Sequence, residues 1–313
     1  MISLISLMKV RINNGCGSWT TTNYVNYSNA LGRTTVSNTT GTTILDSSLN
    51  VFQIYKSTRL DSMLNPLNIT RECLDGDEHP ETIPVILALD VTGSMGAAAA
   101  EIAKKLNEIM TELYKSDKVK DVEFCIMAIG DFAYDHAPLQ VSQFESDIRI
   151  VEQLDKVWFE HGGGGNYSES YTAAWYFGLN HCKLDCWNRG KKGIIITLGD
   201  EELNPYLPKY KIKEFIGDNV QSDIKTKELY EQAKEKFDIY HLAVDDNETS
   251  WRSYCTEAIP TFKKYLDDEH FKIVTLDNLS KTISDIIINS QTTEFLVNST
   301  EDSSTVENVD GIS

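Results

Sequence analysis

Pro84-Val85-Ile86-Leu87-Ala88-Leu89-Asp90-Val91-Thr92-Gly93-Ser94-Met95 runs an uninterrupted apolar segment straight into a carboxylate and two hydroxyls. An apolar run with no polar face is expected of a strand covered on both sides, and a helical pattern begins soon after it, near Ala97. Asp90-x-Thr92-x-Ser94 therefore falls where a buried strand gives way to a helix. Its three side-chain oxygens are hard donors, a set that suits Mg²⁺, Mn²⁺ or Ca²⁺ over zinc or copper. A plain strand-to-helix turn with capping hydroxyls would use the same residues. What favours a metal is that oxygen-bearing segments recur downstream in order.

Outward from this stretch the chain alternates. Apolar runs at 122–129, 194–198, 239–244 and 271–276 read as further strands. Ile102, Leu106, Ile109 and Leu113 make one apolar stripe on a helix, and Leu279, Ile283, Ile286 and Ile287 repeat it after a cap at Asp277 or Asn278. Residues 168–180 and 223–237 are further helix candidates. Strand and helix alternating in this way predict an α/β domain over 82–291 with a doubly wound, mostly parallel sheet. Ligands of such sheets bind at the carboxyl ends of the strands, where strand order reverses, and Asp90 ends the first of these strands.

Residues 1–81 read as a loop-rich extension with short strands, crowded with Thr, Ser, Asn and Gly around Trp19, Tyr24 and Tyr27. Gly76-Asp77-Glu78-His79-Pro80 punctuates its end. Residues 292–313 read as a polar, acidic, disordered tail. Met1 to Met8 is short, lacks basic residues ahead of it and is read as mature chain. The net charge of −18 repels phosphate backbones and anionic lipid, which argues against nucleic acid or membrane as partner and favours retention of a cation. Six scattered cysteines, one of them inside a strand (Cys125), are thiol usage of a reducing compartment.

Three later segments bring oxygen ligands toward the same sheet edge: Gly130-Asp131 to Asp135, Gly162-Gly163-Gly164-Gly165-Asn166-Tyr167-Ser168-Glu169-Ser170, and Gly199-Asp200-Glu201-Glu202. With Asp90-x-Thr92-x-Ser94-Met95, this arrangement resembles the metal-ion-dependent adhesion site of a von Willebrand factor type A domain, over about two thirds of the chain. The resemblance implies Mg²⁺ (or Mn²⁺ or Ca²⁺) held by Asp90, Thr92, Ser94 and Asp200. Glu169 stands where the family usually has Thr, with Asn166 as second choice. Gly199-Asp200-Glu201 departs from the usual Thr-Asp-Gly.

The resemblance further implies that Thr92 and Ser94 bind through neutral hydroxyls and that Asp90 and Asp200 act through water. The cation then recruits an acidic side chain from a protein partner. Direct ligation by Glu169 would neutralise the metal and lower that demand. The expected function is metal-dependent protein–protein interaction without enzymatic activity, in the cytoplasm or in an assembly such as a virion. The lack of a signal sequence and the Gly-Asp-Glu variant suggest an intracellular or phage-type branch.

Several alternatives stand beside this. The metal could serve only to brace loops in a structural protein. Asp-Val-Thr-Gly-Ser is also similar to the loop of phosphoryl-transfer enzymes that form an aspartyl phosphate, although Gly130-Asp131 follows too soon for their metal loop. Asp131 and Asp135 read as a solvated acidic loop or a second cation site. His161 reads as a loop histidine. His181-Cys182-x-x-x-Cys186 superficially suggests zinc but lacks a second pair at usable spacing. Trp158, Trp175, Trp187 and Trp251 read as packing residues.

Overall fold

A computed structural model of the chain describes residues 18–37, 39–46, 49, 54–93, 95–116, 118–160, 168–245 and 252–301. Before the main sheet come α1 (Thr21–Ala30), a hairpin of β1 (Thr34–Val36) and β2 (Thr43–Leu45), and β3 (Arg71–Cys73). The alternating part begins with β4 (Ile83–Asp90), α2 (Gly96–Lys115), β5 (Val122–Ile129), β6 (Leu139–Val141) and α3 (Arg149–Leu154). It continues through β7 (Ser168–Glu169), α4 (Thr172–His181), β8 (Cys182–Leu184) and a 3₁₀ turn at Asp185–Arg189 to β9 (Gly193–Gly199) and β10 (Glu202–Leu203). Then follow β11 (Tyr206–Leu207), α5 (Lys209–Phe215), β12 (Ile224–Lys225), α6 (Thr226–Ala233) and β13 (Phe237–Val244). The last elements are α7 (Arg252–Phe262), β14 (Phe271–Val274) and α8 (Leu279–Glu301).

Six strands form the central sheet in the order β14-β13-β9-β4-β5-β6, parallel throughout except for β6, which runs antiparallel to β5. The fold is doubly wound α/β, as the alternation of runs implies. Successive strand residues face opposite layers. Val85, Leu87 and Leu89 pack with Leu106, Ile109 and Leu113 of α2 and Ile283 and Ile287 of α8. Ile86 and Ala88 pack with Ala173, Ala174 and Phe177 of α4. Both faces of β4 are thus buried, which is why its sequence has no polar side. Strand order reverses between β4 and β9, and their carboxyl ends flank the crevice where such folds bind ligands.

The N-terminal region differs from a purely loop-and-strand reading, because Thr21–Ala30 is helical. Six of its ten residues are Thr, Asn or Ser, at roughly 0.5 kcal/mol each against helix formation. Burial of Trp19 and Tyr24, on the order of 1.5–3 kcal/mol each, offsets that cost. The Thr20 side chain caps the helix by accepting from Asn23 N. Tyr27 Oη donates to Asp155 Oδ2 at 2.6 Å, and Arg33 Nη1 donates to both Asp155 oxygens at 2.8 and 2.9 Å. The segment therefore shares the core of the α2 face.

Helix boundaries also differ from expectation, and the helix expected over 223–237 spans only Thr226–Ala233, with Ile224–Lys225 in a strand before it. The helix expected over 168–180 begins at Thr172, because Ser168 and Glu169 pair in parallel with Glu202 and Leu203. The final helix runs to Glu301, ten residues past the expected start of a disordered tail, and 302–313 lie outside the described residues. Among the described residues no helix is long and apolar enough to cross a membrane.

Candidate metal centre

Asp90 is the last residue of β4, fully buried at the switch point. Its Oδ1 accepts from the backbone N (2.9 Å) and the hydroxyl (2.6 Å) of Thr92, which closes the turn after the strand. With its proton turned toward Asp90, the Thr92 hydroxyl keeps lone pairs for another acceptor-seeking group. Asp90 Oδ2 accepts from Tyr171 Oη at 2.8 Å. Tyr171 is fully buried, edge-on to His241 and tilted against Phe262.

Gly199 at the end of β9 makes room for that phenol, since a Cβ at this position would sit 1.8 Å from Tyr171 Oη and 2.6 Å from Cζ. The departure from Thr-Asp-Gly at 199–201 thus has a steric reason: a side chain there would displace the hydroxyl that holds Asp90.

Asp200 follows directly and is 4% exposed. Glu169, on β7, is 7% exposed, and its Oε2 accepts no hydrogen bond from the described residues. The β7–β10 pair sets Glu169 beside the segment that leaves Asp200. Asn204 fastens the same region, donating to Thr172 Oγ1 at 2.6 Å and accepting from Thr172 N at 3.2 Å.

Asp131 is 6% exposed; its Oδ1 accepts from Ala133 N and its backbone N donates to Asp135 Oδ2 at 2.7 Å. That burial corrects the solvated-loop reading for Asp131, although Asp135 remains half-buried. Ser170 ties this loop to the site, its N donating to Gly130 O and its Oγ accepting from Phe132 N.

The electrostatics report the convergence. Burial, then the Asp200 carboxylate, pushes the Asp90 carboxyl up. Burial, then Asp90, Asp135, Asp131 and Glu201, pushes Glu169 up strongly. Glu201 is raised to about 7 by burial and by Asp200, Glu202 and Glu257, and Asp135 to about 6, chiefly by burial. Like charges held together out of water are stabilised by protonation or by a cation. The strand ends thus bring together buried carboxylates, an oriented hydroxyl, and a buried carboxylate oxygen that accepts no hydrogen bond among the described residues.

Among the described residues no group of three or more His, Cys, Asp or Glu side chains is placed to hold a metal ion. A cation here would draw on Thr92 as well as the carboxylates. Ser94, Asn166, His161 and the glycine loop lie outside the described residues, as does Trp251. His181 is engaged elsewhere, at Ile69 O (2.9 Å) and Asp218 Oδ2 (2.7 Å), and burial raises the thiols of Cys182 and Cys186. Trp175 is core, while Trp158 and Trp187 are half-buried.

Tyr171 and Asn204 did not stand out in the sequence. The signal for Tyr171 was Gly199, a residue without a side chain where the family resemblance led one to expect Thr.

No protein-family model and no curated protein matches the chain. Among solved structures it is similar to the pilus adhesin SpaC from Lactobacillus rhamnosus GG in its open conformation, at 11% identity over 72% of this chain and 31% of that one, with a TM-score of 0.47. It thus spans about a third of that adhesin's length. It is similar to the vWF domain of the type V pili tip protein Mfa5 from Porphyromonas gingivalis, at 11% identity over 73% of this chain and 98% of that one, TM-score 0.38. BatB from Bacteroides thetaiotaomicron, a conserved hypothetical protein, is similar at 15% identity over 67% and 99%, TM-score 0.39. At these identities and scores the likeness says nothing of a metal, a ligand or a partner.

Proposed function

We propose that the chain is a protein-interaction module of the von Willebrand factor A kind, which holds a divalent cation at the switch point and engages a protein partner through it. The observation that carries this reading is the burial of Asp90, Glu169 and Asp200, near enough for their charges to raise one another, with Glu169 Oε2 accepting no hydrogen bond among the described residues. Asp90, Thr92, Ser94 and Asp200 would hold Mg²⁺, Mn²⁺ or Ca²⁺, with Glu169 as the variable member of the set and Asn166 and Asp131 next to it. The cation would supply a Lewis-acidic position for an oxygen of the partner, an Asp or Glu side chain by its chemistry.

The buried, free thiols of Cys73, Cys125, Cys182 and Cys186 support a reducing compartment or an assembly formed there. Phosphoryl transfer is less well supported. A nucleophilic carboxylate needs a free, reachable oxygen, whereas Asp90 is fully buried with both oxygens accepting hydrogen bonds.

The test is a titration of chelated protein with Mg²⁺, Mn²⁺ and Ca²⁺, followed by melting temperature and calorimetry. Saturable stabilisation that is lost in Asp90→Asn supports the metal. Absence of any effect of all three ions overturns it. Partner capture that requires the ion and is lost in Ser94→Ala with unchanged fold supports recognition. Capture that is indifferent to chelator leaves the metal as a brace only.

A further inference from the structure

The segments that leave the carboxyl ends of β4, β5, β9 and β13, residues 90–96, 130–138, 200–205 and 245–251, hold nine Asp and Glu and no Lys or Arg. Glu160 joins them by accepting from the backbone N of His136 and of Ala137, and Glu169 joins through the β7–β10 ladder. Asp135, Glu201, Glu202 and, on α7, Glu257 are half-buried or exposed and make no ion pair among the described residues. Their charges act on one another. Beyond burial, Glu201 is pushed up by Asp200, Glu202 and Glu257, and Asp135 by Glu160 and Asp131, against which stands His136. The lysines that come next along the chain are taken up locally, Lys209 at Gln221 O, Lys211 with Glu214 and Lys225 with Glu228. Within this cluster Glu169 is 7% exposed and its Oε2 accepts no hydrogen bond among the described residues, a buried oxygen that calls for a cationic or donor group from outside the chain. Tyr134, between Asp131 and Asp135, is 54% exposed and offers an aromatic face to a cation.

We infer that the protein partner meets this edge with a Lys- or Arg-bearing segment, so that the acid it offers to the cation is flanked by basic residues. The inference rests on the metal-dependent reading for that central acid and on charge complementarity for its neighbours. One divalent ion carries two positive charges, fewer than Asp90, Glu169 and Asp200 supply when ionised, so the rim still repels an unaccompanied acid. Lysine or arginine beside the acid reverses that sign. It forms charge-assisted hydrogen bonds with Glu201, Glu202, Glu257 or Asp135, and Arg also stacks on the Tyr134 ring. The same field speeds encounter with a basic segment and makes its binding depend on salt.

Fluorescein-labelled decapeptides with a central Asp flanked by Lys, by Ser or by Glu test the inference by anisotropy on the full chain, in Mg²⁺ and in chelator. Expected is that the Lys-flanked peptide binds about tenfold or more tighter than the Ser-flanked one at low salt, and that this preference shrinks toward about 1 M salt, where the screening length is about 3 Å. Glu202→Lys/Glu257→Lys should remove most of the preference. Asp77→Lys/Glu78→Lys, the same change of net charge on exposed residues ahead of β4, should retain it. Circular dichroism and melting temperature establish that both variants are folded, and Glu202→Gln/Glu257→Gln should give a smaller loss. A preference that is absent, or that both charge reversals reduce equally, overturns the inference. Mg²⁺ separates the two readings. A Lys preference with no gain from Mg²⁺ removes the metal and leaves the basic segment, whereas a gain from Mg²⁺ that is indifferent to the flanks removes the basic segment and leaves the metal.

Discussion

Replacing Tyr171 by Phe removes one oxygen and almost nothing else from the core. The phenol is fully buried and donates at 2.8 Å to Asp90 Oδ2, and among the described residues its only other hydrogen bond is a long one from Glu201 N at 3.4 Å. A hydrogen bond to a charged group contributes roughly 1.5–3 kcal/mol, against about 0.5–1.5 for a neutral pair. Tyr171→Phe should therefore cost about 2 kcal/mol at about pH 8.5, where Asp90, pushed up to about 7 by burial and Asp200, is ionised. For a domain of this size that is a fall of about 4–8 °C in melting temperature. The same change in an Asp90→Asn background should cost about 1 kcal/mol less, because the acceptor no longer carries charge. Urea denaturation of the four proteins in chelator measures the cycle. If the phenol also orients Asp90 toward a cation, Mg²⁺ affinity by calorimetry should weaken about tenfold in the single variant. A cost below about 0.5 kcal/mol, or an equal cost in both backgrounds, would refute the argument for Tyr171 as the group that positions Asp90.

Three further outcomes follow from the same structure. Gly199→Ala should destabilise by about 1–3 kcal/mol in chemical denaturation, since its Cβ would overlap a buried phenol with no space to retreat. Carboxyls raised in the fold keep their protons where the unfolded chain has lost them, so the chelated protein should lose stability as pH rises from about 4, levelling off above about 6 to 7, where Asp135 and Glu201 titrate. The melting-temperature increment from Mg²⁺ should grow over the same interval, and a pH-independent increment counts against cation binding at this cluster. His241 behaves oppositely: burial lowers its pKa to about 3, so below pH 6.5 its contribution is lost at up to roughly 1.4 kcal/mol per pH unit. That component of the acid slope should vanish in His241→Phe, measured by denaturation between about pH 6 and 4.

The central sheet was legible because burial on both faces leaves an unmistakable trace. Val122 to Ile129 is apolar at nearly every position, and the strand has those bounds. The stripe of Leu106, Ile109 and Leu113 likewise announced α2. What stayed hidden depends on contacts between distant residues. The three-residue β6 is too short to show periodicity, and its antiparallel direction depends on how residues 130–138 turn the chain back from β5. Helix α1 is held by Trp19, Tyr24 and the Asp155 contacts, over a sequence whose local preference opposes it. At the site, Asp90, Thr92 and Asp200 were marked by their positions at strand ends. Tyr171 and Asn204 act through hydrogen bonds spanning 81 and 32 residues, which no local pattern encodes.

The two-residue ladder between β7 and β10 gives the candidate site an uneven mechanical character. Asp90 and Thr92 are anchored to the stiff middle of the sheet, whereas Glu169 is yoked to the strap that leaves Asp200. Leu203 N on that strap donates to Thr261 Oγ1 of α7 at 3.0 Å, so the strap also leans on a helix beyond the crevice. A push on α7 would travel through one backbone ladder to Glu169, and the centre would respond as a hinge with one fixed jaw and one that follows its surroundings.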